Sequence, residues 1–219
     1  MKKIILGIAL LSGISLKAEI PQNDQKAKAI LDEVSAKTKS YKTIVSSFVY
    51  SVEGKDKKVS DKQEGNIWLK GSKYKVEIAG QVIICDGKTI WTYLKESNEV
   101  QINSVENRES EDKITPSNMF TMYEKGFKYE FVKEEPKGGE TAQIIKLFPL
   151  DPKKKSYHTA TVTINKGKKQ VQTMKINGKD GNTTTYMLKK LTPNTDLPDN
   201  MFNFDKSKYP GVEVIDLRE

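Results

Sequence analysis

Cysteine and histidine each occur once in this chain, as Cys85 and His158, and arginine only twice, at Arg108 and Arg218. One cysteine excludes an internal disulfide. A transition-metal site needs several His or Cys ligands, and two such residues cannot supply one. Any Ser-His-Asp or Cys-His machinery would have to run through His158, which follows Tyr157 on an expected strand. No Gly-x-Ser-x-Gly elbow accompanies it. Cys85 reads as a small buried hydrophobe on a strand. No glycine-rich phosphate loop is present, and Asp180-Gly181-Asn182 lacks the bidentate Glu of a calcium loop, so it reads as a hairpin turn. Scarce arginine with no interleaved aromatics argues against nucleic acid. The sequence thus points away from an enzyme. Paired carboxylates for hydrolysis stay open in almost any chain, and a hydrolase using His158 is the outlying alternative. No cofactor is implied.

No later segment approaches the 18 or so consecutive apolar residues of a spanning helix. The N-terminus is different. Lys2 and Lys3 precede an apolar run from Ile4 to Leu11, followed by Ser12, Gly13 and Ser15 and ending at Ala18. That is the pattern of a secretory signal peptide over residues 1–18, with the mature chain starting close to Glu19. No cysteine stands at the end of the leader to carry a lipid, so a mature protein soluble outside the cytoplasm is expected.

The 219 residues are 36% hydrophobic and 30% charged. That suits one globular domain, 19–219, with a real core and no dividing linker. The formal charge of +8 falls to +5 once Lys2, Lys3 and Lys17 leave with the leader. What remains alternates in sign, as in Lys128, Glu130, Lys133 and Glu134, and reads as a solvated mixed surface.

Ala27, Ile30, Leu31, Val34, Thr38 and Tyr41 fall at helical spacing and predict an amphipathic helix to about Ser40, capped by Asn23 or Asp24. The period then changes to two: Ile44, Phe48, Tyr50 and Val52 predict a strand. Further strands are expected at Gln63–Lys70, Lys73–Ala79, Gln81–Cys85, Lys88–Leu94 and Glu99–Ile102. Asp86-Gly87 and similar turns between them signal antiparallel hairpins. Asn103 to Lys113 reads as a polar loop. Thr115-Pro116 resembles a cap and first helical residue, opening a short helix over Pro116–Tyr123. Strands resume at Phe127–Lys133, Thr141–Phe148, Tyr157–Asn165, Gln170–Asn177 and Thr183–Lys190, with a turn at Pro136–Gly139. The segment from Phe202 to Ile215 closes the chain. The expected fold is mainly β (α+β), an antiparallel meander of roughly ten or eleven strands with two or three short helices.

A curled sheet has a concave face that can hold apolar matter if helices cover it. Met119, Phe120 and Met122 crowd one short segment with flexible side chains that suit repacking around variable ligands. The candidate lining is Phe48, Tyr50, Tyr74, Val76, Ile78, Ile83, Trp91 and Tyr93 from the sheet, with Met119, Phe120 and Met122 from the lid. Alternation sets Tyr74, Val76 and Ile78 on one side.

Several segments together resemble a known family. They are Gly65-Asn66-Ile67-Trp68-Leu69-Lys70, Lys73-Tyr74-Lys75, Asp86-Gly87-Lys88-Thr89-Ile90-Trp91-Thr92-Tyr93, Thr115-Pro116, Asp180-Gly181-Asn182, Phe202-Asn203-Phe204 and Pro210-Gly211-Val212-Glu213-Val214-Ile215. In order and spacing they are similar to the periplasmic outer-membrane lipoprotein carriers, the LolA family. The resemblance implies a half-barrel that holds lipoprotein acyl chains beneath a helical lid. It implies two partners, an ATP-driven releasing ABC complex in the inner membrane and an acceptor in the outer membrane, and a monomeric carrier. A related carrier of other lipids or polyketides is the alternative. Where many members carry an arginine that fastens lid to barrel, this chain has Gly71.

Overall fold

In the computed structural model, residues 22–108, 115–116 and 118–218 are described. The expected leader and the start at Glu19 lie outside them, as do residues 109–113 of the expected polar loop.

The first element, α1 (Gln22–Lys39), buries Ala27, Leu31 and Val34. Their spacing draws one apolar stripe along the helix, and each larger side chain so buried stabilises by about 1.5–3 kcal/mol. The helix begins at Gln22, so Asn23 and Asp24 lie inside it rather than capping it. Its last turn closes through Tyr41 N donating to Thr38 O at 3.1 Å. No helix among the described residues is long and apolar enough to cross a membrane.

Among the described residues twelve strands follow, one more than the upper expectation. They are β1 (Ile44–Glu53), β2 (Val59–Lys70), β3 (Lys73–Ile78), β4 (Gln81–Cys85), β5 (Thr89–Leu94), β6 (Glu99–Ser104), β7 (Phe127–Lys137), β8 (Glu140–Pro149), β9 (Tyr157–Asn165), β10 (Gln170–Gly178), β11 (Thr183–Pro193) and β12 (Glu213–Asp216). They form one sheet in the order β12-β6-β5-β4-β3-β2-β1-β11-β10-β9-β8-β7. The sheet does not close: β7 and β12 are its two edges. Every pairing is antiparallel except β12 with β6, which is parallel. The chain returns to that edge from across the sheet rather than by a hairpin.

Local chemistry sets the turns. Between β4 and β5, Asp86 Oδ1 accepts from Lys88 N and Thr89 N, both at 2.8 Å, and Gly87 takes a φ of +97°. The turn expected at Pro136–Gly139 is tighter. Pro136 stays in β7, opposite Thr141, because an edge strand can spare one backbone donor. The polar loop expected after Ile102 instead extends β6 to Ser104 and adds a four-residue helix, α2 (Val105–Arg108).

Register shows which residues share a face. Leu69 opposes Tyr74, Tyr74 opposes Cys85 and Cys85 opposes Ile90 on the inner side. Ile67, Val76 and Ile83 form the next inner row. The inner face carries two apolar clusters. One, on β7–β10, includes Ile145, Leu147, Val162 and Met174 and is plugged by Leu31 and Val34 of α1. The other, on β1–β5, includes Phe48, Ile67, Tyr74, Val76, Cys85 and Ile90 and is covered by Phe120 and Met119.

The outer face is covered too. Beyond β11 the chain crosses behind β2–β6, burying Leu197, Phe202 and Val212. Lys70 and Lys73 hold Asp199 there at 3.1 and 3.3 Å. Tyr209 packs against Tyr93 at 4.4 Å and against Phe204 at 4.7 Å between ring centroids.

Candidate functional site

Phe48 of β1 sits opposite Gly65 of β2. A Cβ on Gly65 would fall 2.6 Å from Phe48 Cζ and 2.8 Å from Glu77 O. The phenyl ring therefore lies flat over bare backbone, as aromatic side chains do across a strand from glycine. Further along, Tyr50 opposes Tyr186, their rings 5.4 Å apart and tilted by 56°. Burial is the chief cause that pushes both phenols up, Tyr186 to about 12. They stay uncharged at neutral pH.

These side chains wall a cavity of about 220 Å³ in the β1–β5 half of the sheet. Ile67, Val76, Ile78 and Ile83 complete its floor, and Thr115, Pro116 and Met119 make its roof. Of the sequence-derived candidates, Phe48, Tyr50, Val76, Ile78, Ile83 and Met119 meet there. Tyr74 and Phe120 belong to the same cluster. Phe120 also borders a second cavity of about 230 Å³, with Tyr41, Ile44, Leu69, Gly71 and Thr121. Gly71, at a φ of +59°, has no atom within 4 Å of where its Cβ would be. Met122 turns the other way and packs on the α1 cluster.

Trp91 and Tyr93 do not join them. Trp91 shares a row with Ile84 and Ile102, and this row continues through Lys75 to Trp68 on the outer face. Tyr93 packs beneath the C-terminal segment. Placing these two in the cavity is corrected by strand alternation: Ile90 faces inward, so Trp91 must face out. Sequence reasoning missed Ile67, Tyr186, Thr115 and Pro116. Ile67 and Tyr186 were within reach, since each alternates with an inward leucine, Leu69 or Leu188.

The roof is not the regular helix expected over Pro116–Tyr123. Residues 118–121 are turns, followed by one 3₁₀ turn, Met122–Glu124. Thr115 does act as a cap, its Oγ1 accepting from Asn118 N at 3.3 Å while Asn118 Oδ1 accepts from Thr115 N at 2.8 Å. Apolar crowding around Phe120 and Tyr123 fixes this segment more than backbone periodicity does. At its far end the segment is latched to α1. Glu124 accepts from Ser35 Oγ and from Lys39 Nζ, the latter at 2.6 Å. Burial works to raise the Glu124 pKa, but hydrogen bonds from Lys39 and Ser35 outweigh it and hold the group below the ordinary carboxylate value. Tyr129 Oη donates to Tyr123 O at 2.8 Å. Tyr123 is wholly buried, and its phenol is pushed far up by that burial and by Glu124 beside it.

His158 is exposed, with Thr159 Oγ1 3.2 Å from its Nδ1, and takes no part in the cavity. Cys85 is buried in the β1–β5 cluster, its Sγ accepting from Gly87 N at 3.3 Å. Among the described residues no group of three or more His, Cys, Asp or Glu could hold a metal ion.

The family model for the outer membrane lipoprotein carrier protein LolA matches residues 39–205. No curated protein matches the chain. Among solved structures, an uncharacterized conserved protein from Thermus thermophilus is similar at a TM-score of 0.56 and 12% identity, over 88% of this chain and 99% of that one. The lipoprotein LppX from Mycobacterium tuberculosis is similar at 0.54 and 15%, over 80% and 98%. A LolA superfamily protein from Nitrosomonas europaea gives 0.43 and 13%, over 81% and 97%. At such identities the structural likeness speaks for the fold alone, while the family match spans most of the length from α1 to the C-terminal crossing. The chain belongs to the LolA outer membrane lipoprotein carrier family.

Proposed function

We propose that this protein is a periplasmic carrier for lipoprotein acyl chains. It would receive cargo from a releasing ABC complex in the inner membrane and pass it to an outer-membrane acceptor. The observation that carries this reading is the apolar cavity between the β1–β5 face and a roof with little regular structure of its own. At about 220 Å³ the cavity falls below the ~300–1,000 Å³ usual for small-ligand sites. An acyl chain must therefore lift Met119 and Phe120 to enter.

The energetics favour reversible binding. A buried methylene contributes about 0.8 kcal/mol, so a chain of about fifteen gains roughly 12 kcal/mol gross. Displacing each roof side chain from its packed position costs about 1.5–3 kcal/mol. The roof competes with the cargo for the same apolar face, and this competition lets cargo leave. Neutral Tyr50 and Tyr186 keep charge out of the cavity.

A second reading, a related carrier with different lipid or polyketide cargo, is favoured by Gly71. Where the family resemblance places a lid-fastening arginine, open space remains beside Phe120 and Thr121.

The test is to recover the protein from periplasm and identify bound molecules by mass spectrometry, beside a Met119→Glu, Phe120→Glu variant. Acylated lipoprotein on the wild type and none on the variant is expected. Free lipid or polyketide instead would select the second reading. Equal acyl binding by both proteins would sink the cavity model.

A further inference from the structure

The turns at one end of the sheet make a basic rim, and we propose that this rim docks on the headgroups of an anionic membrane with Leu150 entering them. In an antiparallel meander alternate turns share an end. The β1–β2 turn, the β8–β9 loop, the β10–β11 turn and the start of β7 therefore come together here.

Contacts join them into one surface. A Cβ on Gly181 would touch the Lys55 side chain, so the β1–β2 and β10–β11 turns abut. Lys179 donates from N to Ser156 O at 2.9 Å and from Nζ to Pro152 O at 2.5 Å, tying the β10–β11 turn to the β8–β9 loop. Leu150 N donates to Gly126 O at 2.8 Å, adding the approach to β7.

The three connections carry Lys55, Lys57, Lys58, Lys153, Lys154, Lys155 and Lys179 against Asp56, Asp151 and Asp180. Asp56 is engaged by Lys58 at 3.8 Å, Asp151 by Lys154 at 3.6 Å and Asp180 by Asn182 N at 2.9 Å. A positive excess remains on this rim. Among the described large apolar side chains Leu150 is the most exposed, at 70%. It stands in that loop between Pro149 and Asp151-Pro152, three to five residues before Lys153, Lys154 and Lys155.

One protruding leucine on a lysine-rich rim matches a headgroup layer better than a folded protein. Lysine heads lie among phosphates while leucine enters the acyl boundary. The rim is also the end nearest the cavity. Tyr50 lies three residues from the end of β1, Tyr186 three from the start of β11, and Ile78 ends β3. Docked in this way, the protein would present its cavity toward the bilayer from which a carrier must draw acyl chains. The inference rests on the carrier reading for its purpose and not for its measurement.

The test is sedimentation of the protein with vesicles of phosphatidylglycerol and phosphatidylethanolamine, against phosphatidylcholine vesicles, at low and high salt. Each lysine near an anionic surface strengthens binding about fivefold, so Lys55→Gln, Lys57→Gln, Lys153→Gln together should weaken it about a hundredfold. Leu150→Ser should weaken it about tenfold. All four positions are exposed, and circular dichroism should confirm that folding is unchanged. A fluorescent fatty acid measures the cavity separately and should bind the variants as it binds the wild type. No sedimentation of the wild type with anionic vesicles at low salt, as would hold if the rim met only an acidic protein, overturns the proposal. So does unchanged sedimentation of the triple variant. Salt-sensitive vesicle binding without fatty-acid binding would support docking and refute the carrier reading alone.

Discussion

Replacing Phe120 by alanine tests whether the roof moves independently of the sheet. The side chain is 5% exposed and packs into the cluster formed by Phe48, Ile67, Tyr74 and Ile90. Loss of a buried phenyl ring costs about 3–5 kcal/mol. If the roof opens as its own unit, that loss falls on local opening, and the open population rises by about two to nearly four decades. Global stability is then shielded, because the sheet persists beneath an open roof. Native-state hydrogen exchange reads the difference residue by residue. The informative roof amides are Met119, Thr121 and Met122, bonded to Thr115 O, Asn118 O and Asn118 O at 2.9, 2.9 and 2.7 Å. Their protection should collapse in Phe120→Ala, while the β4–β5 amides around Ile84 and Trp91 keep nearly all of theirs. An equal fall in both sets would mean that roof and sheet open together, and the lid argument would be wrong.

Two further outcomes follow from particular contacts. The Glu124 carboxyl is held below its ordinary value of 4.5 by Lys39 and Ser35 against the opposing effect of burial. A depressed folded pKa stabilises above the ordinary value and is lost as pH falls through the folded one. Protection of the 119–124 amides, taken relative to their intrinsic exchange rates at each pH, should therefore fall below about pH 4.5 in the wild type, and Glu124→Gln should remove that step. A wild type without an acid transition in this segment would show that the latch carries no weight. Gly65→Ala should destabilise the fold by about 1–3 kcal/mol, read from the urea midpoint, because its methyl group would collide with the Phe48 ring and with the backbone oxygen of Glu77. An unchanged midpoint would mean that the ring shifts at no cost.

Most strands were legible because their turns announce themselves. Asp86-Gly87 and Gly178–Asn182 bracket segments whose alternation is clear, and Tyr157–Asn165 was read with its observed bounds. Trp91 and Tyr93 were misplaced for a definite reason. Both faces of β5 are covered, one by the inner cluster and the other by the crossing C-terminal segment, so apolar residues occupy both sets of positions. Alternation carries no information where both sides are dry. The roof was read as a helix from its cap and its apolar content, and the cap is real. Yet so short a stretch cannot sustain helix without packing that favours it, and here packing on Phe120 and Tyr123 favours successive turns instead. The parallel β12 was invisible locally, since its partner β6 lies more than a hundred residues away in sequence.

The unequal covering of the inner face has a consequence for how such a protein can change over time. One half of the sheet is sealed by α1 through Leu31 and Val34; the other is closed by a segment held at Thr115 and Glu124. On the carrier reading proposed above, foldedness would reside mainly in the sealed half and selectivity in the other. Substitutions along 118–122 or on the cavity walls can then be sampled while the scaffold stays above its stability threshold. Descendants of one sequence could diverge in what they carry without first having to relearn how to fold.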